Sequence, residues 1–383
     1  MQPVLFSLLN TDMKNLSRRS FLQKTGMGIG ASAVAASLPF INAGNGERND
    51  AGKKLNIALC GLGNYAGILA EGLEVSEYCR LAGIVTGTPS KAVTWKKKYN
   101  IPDKNIYNYQ NFDTIVNNKD IDLVYVVLPN SMHKEFTIRA AGAGKHVITE
   151  KPMAISAKDC EEMIAACNKA GVQLAIGYRL HYEPYNLEMK RLGQEKVFGQ
   201  VRVIESSLGY KSTDPTQWRH KKALSGGGPL MNLGVYCIQS SRYTLGEDPV
   251  SVTAQFGPVI NKEIFSEIEA SITWQLQFPA GALCNSTSSY TCSIDRFFAS
   301  ATEGTFEFSP GISYGPFKGR TSKGELEFPA INQQAAQMDG IGKLILQKKL
   351  LPSHITGEEG MKDVKIMQAI YEAANTGKKI SLV

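Results

Sequence analysis

The sequence predicts an α/β protein in which a doubly wound parallel sheet precedes a second, mostly antiparallel sheet. From residue 55 to residue 176, short apolar segments alternate with segments of helical periodicity. A glycine-rich turn follows the first apolar segment. After about residue 178, long segments that alternate polar and apolar residues replace this pattern. Alternating strands and helices predict a parallel sheet covered on both faces, whereas period-two alternation predicts an antiparallel sheet with one buried face.

The N-terminal half contains the parallel sheet. Strands are predicted where short, β-branched apolar runs occur, and helices where apolar residues recur every three or four positions. The predicted strands are residues 55–60, 81–85, 123–128, 146–149 and 172–176, and the predicted helices are residues 65–73, 90–99, 135–143 and 157–169.

The C-terminal half contains the antiparallel sheet and a final helix. Most of its strands place apolar residues at every second position, as a half-buried sheet requires. The predicted strands are residues 201–207, 250–256, 267–278, 282–290 and 297–308, and the final helix is residues 361–374.

Composition excludes several classes of function. Of the 383 residues, 43% are hydrophobic, which is enough for two buried cores. The net charge of +7 is mild and scattered, so nucleic acid is not an expected partner. The seven cysteines are irregularly spaced and the five histidines are not paired at ligand spacing, so we predict neither a disulfide framework nor a metal site.

The N-terminal segment is typical of an export signal. Arg18-Arg19 is followed by Phe-Leu and then by an apolar run of small residues, 26–40. This pattern predicts a twin-arginine signal, which the twin-arginine export machinery reads to carry folded proteins to the periplasm. The run is too short and too weakly apolar to favour a stable membrane span after cleavage. We expect cleavage near Ala43, and the true start can be Met13.

The turn after the first strand has the pattern of a dinucleotide-binding loop, GLGNYA at residues 61–66. Its first glycine permits a tight turn, and its second lets the backbone approach a pyrophosphate. The helix that follows offers unpaired N–H groups to the phosphates. The residues of this loop predicted to bind the cofactor are Gly61, Gly63, Asn64, Tyr65 and Ala66.

The end of the second strand indicates which nucleotide is bound. NAD-binding proteins carry an Asp or Glu there for the ribose 2′-hydroxyl. The segment 85–91 (VTGTPSK) has no carboxylate. The Thr86 hydroxyl and the Lys91 ammonium can instead hold a 2′-phosphate, so we predict NADP, with NAD as the alternative.

A charged motif follows the strand at residues 146–149. Glu150 and Lys151 lie at the carboxyl edge of the predicted sheet, beside the expected nicotinamide. A lysine at this edge can donate to a substrate hydroxyl. Its positive charge can also lower the pKa of a neighbouring acid–base group.

These motifs give the chain a resemblance to the glucose–fructose oxidoreductase, inositol dehydrogenase and MocA family (Gfo/Idh/MocA) from residue 55 to the final helix. Within this family it most resembles the exported glucose–fructose oxidoreductases. The matching segments are Glu150-Lys151-Pro152, 128–131 (LPNS), 177–182 (GYRLHY), 217–219 (QWR), 226–231 (GGGPLM), 242–243 (RY) and 358–361 (EEGM).

The resemblance implies an N-terminal Rossmann domain, a C-terminal α/β domain with a large open sheet, sugar substrates, tightly held NADP and a homo-oligomer, dimer or tetramer. It adds these cofactor contacts to those above: Leu128, Pro129, Asn130, Glu150, Lys151, Arg179, Trp218 and Arg219. The expected division of the chain is a signal peptide at 1–43, an arm at 44–54, an NADP-binding domain at 55–177, a substrate and oligomerisation domain at 178–355, and a C-terminal helix at 356–383 that packs on the body.

The resemblance also implies the catalytic residues. Lys151 matches the family lysine, Tyr236 matches the acid–base tyrosine of glucose–fructose oxidoreductase, and Tyr314 falls near a further active-site tyrosine. Asn232 departs from the family pattern, which has Asp at this position. Because Asn carries no negative charge, we expect a lower pKa at Tyr236, and the substitution leaves the identity of the sugar open.

The main functional expectation is a ping-pong cycle in which an aldose is oxidised to its lactone and a second sugar carbonyl is reduced. Three alternatives remain open. A transient oxidation at sugar C3 would lead to cleavage or epimerisation with no net redox change. A sugar-binding protein would keep the fold without catalysis, although the glycine loop, Lys151 and Tyr236 argue against it. Use of free nucleotide by an ordinary dehydrogenase would require the export prediction to be wrong.

Overall fold

The computed structural model describes residues 52–383. The predicted signal peptide and all but the end of the predicted arm lie outside these residues. Within 52–383, no helix combines the length and the apolar character needed to cross a membrane.

A six-stranded parallel sheet forms the first half, in the order β3-β2-β1-β4-β5-β6. This is the order of a Rossmann fold, and it confirms the predicted doubly wound sheet. Its elements, in chain order, are β1 (Leu55–Cys60), α1 (Asn64–Val75), β2 (Cys79–Val85), α2 (Pro89–Tyr99), β3 (Ile106–Tyr107), β4 (Leu123–Val126), α3 (His133–Gly142), β5 (His146–Thr149), α4 (Ala157–Ala170) and β6 (Leu174–Ile176).

The central strand β1 shows why this sheet is parallel and buried. Leu55, Ile57 and Leu59 pack into one apolar cluster, which also contains residues of α1. Ala58 and Cys60 point to the opposite face and into the main core. Both faces of the strand are therefore covered, as its unbroken apolar sequence predicts.

A nine-stranded sheet forms the second half, in the order β14-β13-β12-β11-β7-β10-β9-β8-β15. Only the β7–β10 pairing is parallel, so the sheet is mixed but mostly antiparallel, as predicted. Its strands are β7 (Val201–Gly209), β8 (Ser251–Phe256), β9 (Ser271–Gln277), β10 (Leu283–Ser289), β11 (Ile294–Ala301), β12 (Gly304–Phe308), β13 (Gly319–Thr321), β14 (Gly324–Leu326) and β15 (Ile380–Ser381).

Two predicted strands differ most from the structure. The segment 297–308 is two strands, because Thr302 and Glu303 form a turn that pairs β11 with β12. The segment 267–278 is a strand only from Ser271 to Gln277. Glu269, just before this strand, bonds instead to backbone N–H groups of the 228–230 loop.

Helices of the second half complete the molecule: α5 (Pro184–Gln194), α6 (Lys222–Ser225), α7 (Val235–Leu245), α8 (Gln333–Leu346) and α9 (Gly357–Thr376). Helix α7 had no sequence prediction, because residues 235–244 are all buried and leave no polar stripe to reveal its period. Helix α9 packs against both α4 and β8, so it contacts both halves of the molecule.

Candidate active site

The predicted site residues converge on one cavity at the carboxyl edge of the parallel sheet. Its volume is about 560 Å³. A larger cavity of about 710 Å³, between Phe256, Phe265 and Tyr371, contains none of them. The predicted residues that line the smaller cavity are Gly61, Gly63, Asn64, Tyr65, Thr86, Lys91, Leu128, Pro129, Asn130, Glu150, Lys151, Trp218, Arg219, Asn232, Tyr236 and Tyr314.

The glycine loop is shaped for close approach of a phosphate. Gly61 has a φ of +100°, and a Cβ there would lie 2.6 Å from the Val127 carbonyl oxygen. No side chain caps the start of α1 at Gly63, so the first N–H groups of this helix remain available. Ala66 is buried behind the loop and lets α1 pack closely on the sheet. These features fit the pyrophosphate of a dinucleotide.

The end of β2 lies at the same cavity and contains no carboxylate. The Thr86 side chain is buried, and its Oγ1 accepts a hydrogen bond from the Thr88 N–H at 3.2 Å. Lys91 Nζ reaches across to the glycine loop and donates to the Leu62 carbonyl at 3.0 Å. A hydroxyl and a cation therefore lie beside the loop, which is a suitable arrangement for a phosphate.

Lys151 and Tyr236 lie in contact, although 85 positions separate them in the sequence. Lys151 Nζ is 4.4 Å from the centre of the Tyr236 ring. It also donates to the backbone carbonyl of Asn232 at 3.0 Å, which orients the ammonium group toward α7. Tyr236 lies in the first turn of α7, directly after a short π-helix, Leu230–Gly234.

The pKa of Tyr236 is below its usual range. Burial by itself would raise this pKa, but the positive charges of Arg179 and then Lys151 outweigh the effect of burial. The direction agrees with the expectation from Asn232, and the structure identifies Arg179 as the larger positive influence. A lowered pKa increases the fraction of tyrosinate at a given pH, and tyrosinate is the form that accepts a proton.

Arg179 is not among the residues that line the cavity. It lies against Tyr236 and Tyr314, which do line it. Its Nη1 donates to Gln333 Oε1 and its Nη2 to the Ile312 carbonyl at 2.8 Å, so neighbours in the second half draw it inward. The cofactor contact of Arg179 stays a prediction.

Glu150 faces inward beside Lys151. Its Oε1 accepts a hydrogen bond from the Tyr125 hydroxyl at 2.6 Å, and Gln337 Nε2 donates to the same hydroxyl at 2.7 Å. Burial raises the pKa of Glu150, although Lys151 and Tyr125 oppose this rise. Glu150 therefore ties the strand end to α8.

Asn232, Tyr314, Trp218 and Arg219 complete the predicted set. Burial raises the pKa of Tyr290 at the cavity, and the Asn232 side chain opposes this effect. The Tyr314 ring is 58% exposed and lies 6.4 Å from the Tyr65 ring. The Arg219 guanidinium stacks on Trp218, 4.6 Å from its ring centre.

Other lining residues had no sequence prediction, among them Tyr109, His133 and Tyr290. Both ring nitrogens of His133 lie near carbonyl oxygens, those of Pro152 at 3.0 Å and Leu128 at 2.9 Å. His133 begins α3 just after the LPNS segment, so its place after a predicted strand was the available signal. Tyr290 offered none, because it directly follows β10 and its ring packs among Tyr210, His220 and Phe265.

Comparisons with known proteins agree with this arrangement. Residues 55–178 match the model of the Gfo/Idh/MocA oxidoreductase family with an NAD-binding Rossmann fold, and residues 186–307 match the Gfo/Idh/MocA C-terminal domain. The crystal structure of aldose-aldose oxidoreductase from Caulobacter crescentus is 41% identical with a TM-score of 0.83, over 86% of this chain and 100% of that chain.

Two curated relatives are more distant. The NADP⁺-dependent D-xylose 1-dehydrogenase of Haloarcula marismortui is 28% identical over 72% of this chain and 78% of the relative. The 1,5-anhydro-D-fructose reductase of Ensifer adhaerens is 26% identical over 70% of this chain and 81% of the relative.

Proposed function

The chain belongs to the Gfo/Idh/MocA oxidoreductase family, and from this premise we propose that it is an exported sugar oxidoreductase with tightly bound NADP. It oxidises an aldose to its lactone and reduces a second sugar carbonyl in the same pocket. The observation that carries this proposal is the contact of Lys151 with Tyr236 in the cavity that also contains the glycine loop. The 41% identity to an aldose-aldose oxidoreductase over its full length supports a sugar as the second substrate.

The residues of the chain supply the proton transfers. The chemistry that bound NADP supplies is reversible hydride transfer. In the first half-reaction, the Tyr236 oxygen accepts the proton of the sugar C1 hydroxyl, and Lys151 stabilises the developing negative charge. In the second half-reaction, Tyr236 returns this proton to the carbonyl oxygen of the second sugar, so the enzyme ends in its starting protonation state.

We propose NADP rather than NAD because Thr86 and Lys91 lie where NAD-binding proteins carry a carboxylate. The family match covers both nucleotides. The D-xylose dehydrogenase relative is named for NADP⁺, which supports the same choice.

Export and retention of the cofactor belong to one proposal. A protein that leaves the cytoplasm folded through its twin-arginine signal reaches a compartment without a nucleotide supply. Retained NADP and a second sugar as acceptor make turnover there self-contained. We further propose that the exported protein is a dimer or tetramer.

The test is to purify the mature protein without added nucleotide, denature it, and identify the released molecule by mass spectrometry. We expect about one NADP or NADPH per chain. The loaded protein is then incubated with two aldoses, and we expect equal amounts of lactone and alditol.

Released NAD would contradict the Thr86 and Lys91 assignment. An empty protein that needs added nucleotide would contradict retention and favour an ordinary dehydrogenase. Release of a leaving group from a glycoside, with no second sugar present, would instead identify transient C3 oxidation. Loaded protein that binds sugar but yields no product would identify a binding protein.

A further inference from the structure

Arg179 is a buried cation whose hydrogen-bond partners are neutral. Arg179 is 2% exposed and lies three residues after the end of β6. Its Nη atoms donate to the Gln333 amide oxygen and the Ile312 carbonyl, and its Nε has no hydrogen-bond partner. Within residues 52–383, no carboxylate oxygen lies within 4.0 Å of its guanidinium. Since a buried charge is costly without a counter-charge, this arrangement requires an explanation.

Two tyrosine rings lie against the guanidinium. Its central carbon lies 5.1 Å from the centre of the Tyr236 ring and 4.5 Å from that of Tyr314. Tyr314 is more than half exposed, whereas Tyr236 is buried. The negative charge that an ionised Tyr236 would carry therefore lies in a poorly solvated place, where a neighbouring cation has most effect.

Arg179 is fixed in this position from both sides. Gly177, two residues earlier, has no space for a Cβ beside Glu150. The intervening Tyr178 donates through its hydroxyl to Asp363 Oδ2 at 2.6 Å. Residues of α8 pack on the same turn, and one of them, Gln333, holds the guanidinium. The arginine thus cannot easily turn toward another partner.

The other ionisable groups around Tyr236 do not give Arg179 a carboxylate partner at ion-pair distance. Lys151 adds a second cation, and its ammonium also bonds to a neutral carbonyl. Glu150 is the nearby acid, and burial raises its pKa, although Lys151, Tyr125 and Arg179 oppose this rise. The further ionisable groups that act on Tyr236 or respond to it are the hydroxyls of Tyr65, Tyr243 and Tyr314.

We propose that Arg179 is a positioning residue that holds Tyr236 as its phenolate counter-ion before the first sugar binds. This proposal rests on the proposed function, in which Tyr236 takes the sugar proton. The phenolate accepts the C1 hydroxyl proton and becomes a neutral phenol. It returns the proton to the second sugar's oxygen and becomes phenolate again, so protons balance over the two half-reactions.

The test is a spectroscopic pH titration of tyrosinate absorbance in the purified mature protein. The chain has 15 tyrosines, so the difference between wild type and Tyr236→Phe isolates this residue. We expect its midpoint below the usual tyrosine value of about 10. In Arg179→Met we expect the midpoint to move to higher pH, and in Arg179→Lys to return toward wild type. Should Arg179→Met not fold, Arg179→Gln replaces it.

Arg139→Met is the matched control. Arg139 also stacks on aromatic rings, 5.0 Å from Phe136 and 5.1 Å from Phe112, but it has Asp113 and Glu135 as counter-ions. Its replacement should leave the Tyr236 midpoint unchanged. A second readout is the acid limb of kcat/KM for aldose oxidation, which should move to higher pH in Arg179→Met, as the midpoint does.

Two results would overturn the proposal: a wild-type Tyr236 midpoint at or above about 10, or equal midpoints in wild type and the charge-removing variant. The titration needs no turnover. A shifted midpoint in a protein that oxidises no sugar would therefore contradict the proposed function and leave the role of Arg179 supported.

Discussion

The two ends of helix α7 hold buried positive charge in opposite ways. At its first turn, Tyr236 lies against Arg179, which has only neutral hydrogen-bond partners. At its last turn, Arg242 is equally buried but bonds to three carboxylates. These are Asp248 at 2.6 Å, Glu359 at 2.8 Å and Asp363 at 2.8 Å.

The difference separates charge that holds the fold together from charge that is available for chemistry. The Arg242 cluster joins α7 to α9, and Gln239 and Tyr178 bond to the same Asp363. The Arg242 cation is paired with carboxylates of the same cluster. Arg179 can act on the ionisable hydroxyl beside it, because no carboxylate of residues 52–383 forms an ion pair with it.

The largest expected effect is on the reaction itself. Tyr236→Phe removes the proton acceptor, so kcat should fall by roughly 10²- to 10⁴-fold with little loss of stability. Tyr243→Phe is the matched control in the same helix, since the Tyr243 hydroxyl is buried without a partner. Steady-state kinetics and thermal unfolding of both variants test this. Equal kcat values in the two variants would contradict the role of Tyr236 as proton acceptor.

The next effect is on stability, and here the Arg242 end of α7 should matter more than the Arg179 end. Arg242→Met leaves Asp363 buried without its cation, so the free energy of unfolding should fall by about 3–5 kcal/mol. Arg179→Met leaves no carboxylate unpaired and should cost clearly less. Denaturant unfolding of the two variants measures this difference. A larger loss for Arg179→Met would show that its charge serves the fold.

A third effect is the pH dependence of stability at the Arg242 cluster. Burial raises the pKa of Asp363 to about 6, although Arg242 opposes the rise. A raised pKa in the folded state favours the protonated carboxyl, so its contribution is full below the unfolded pKa of about 4 and is lost as pH rises toward 6. We expect a loss on the order of 2–3 kcal/mol over this interval that is absent in Asp363→Asn.

Asp248 provides the opposite control. Burial opposes the shift, but Lys362 and Arg242 hold the pKa of Asp248 below its usual value. Its contribution is therefore present above the unfolded pKa and lost as pH falls. The free energy of unfolding is measured at a series of pH values. Asp248→Asn should remove a contribution that increases with pH, and Asp363→Asn a contribution that decreases with pH. Two contributions of the same sign would contradict the assignment.

The smallest effect extends the comparison to the phosphate end of the cavity. Lys91 bonds to a neutral carbonyl, as Arg179 does, and we propose that the 2′-phosphate supplies its counter-charge. Lys91→Met should weaken NADP binding by roughly tenfold and leave NAD binding unchanged. Lys97→Met, on the exposed face of the same helix, is the control. Equal loss of NADP affinity in both would place the phosphate elsewhere.

Much of the fold could be predicted because its signals are local. Apolar runs and helical periods located the strands of the parallel sheet, although β3, with two residues, was too short to detect. Helix α7 escaped prediction because burial on all sides removed its period. The turn at Thr302 and Glu303 was missed because β11 and β12 read as one continuous strand.

The candidate site divides in the same way. The sequence by itself determined the glycine loop, the Thr86 and Lys91 segment and the Glu150-Lys151 pair, because the chain order of a parallel sheet brings its strand ends to one edge. Only the tertiary structure decided that Arg179 is buried and stacks on Tyr236. That choice depends on Gln333 and Ile312, more than 130 positions further along the chain, and on the cost of burying a cation without a carboxylate.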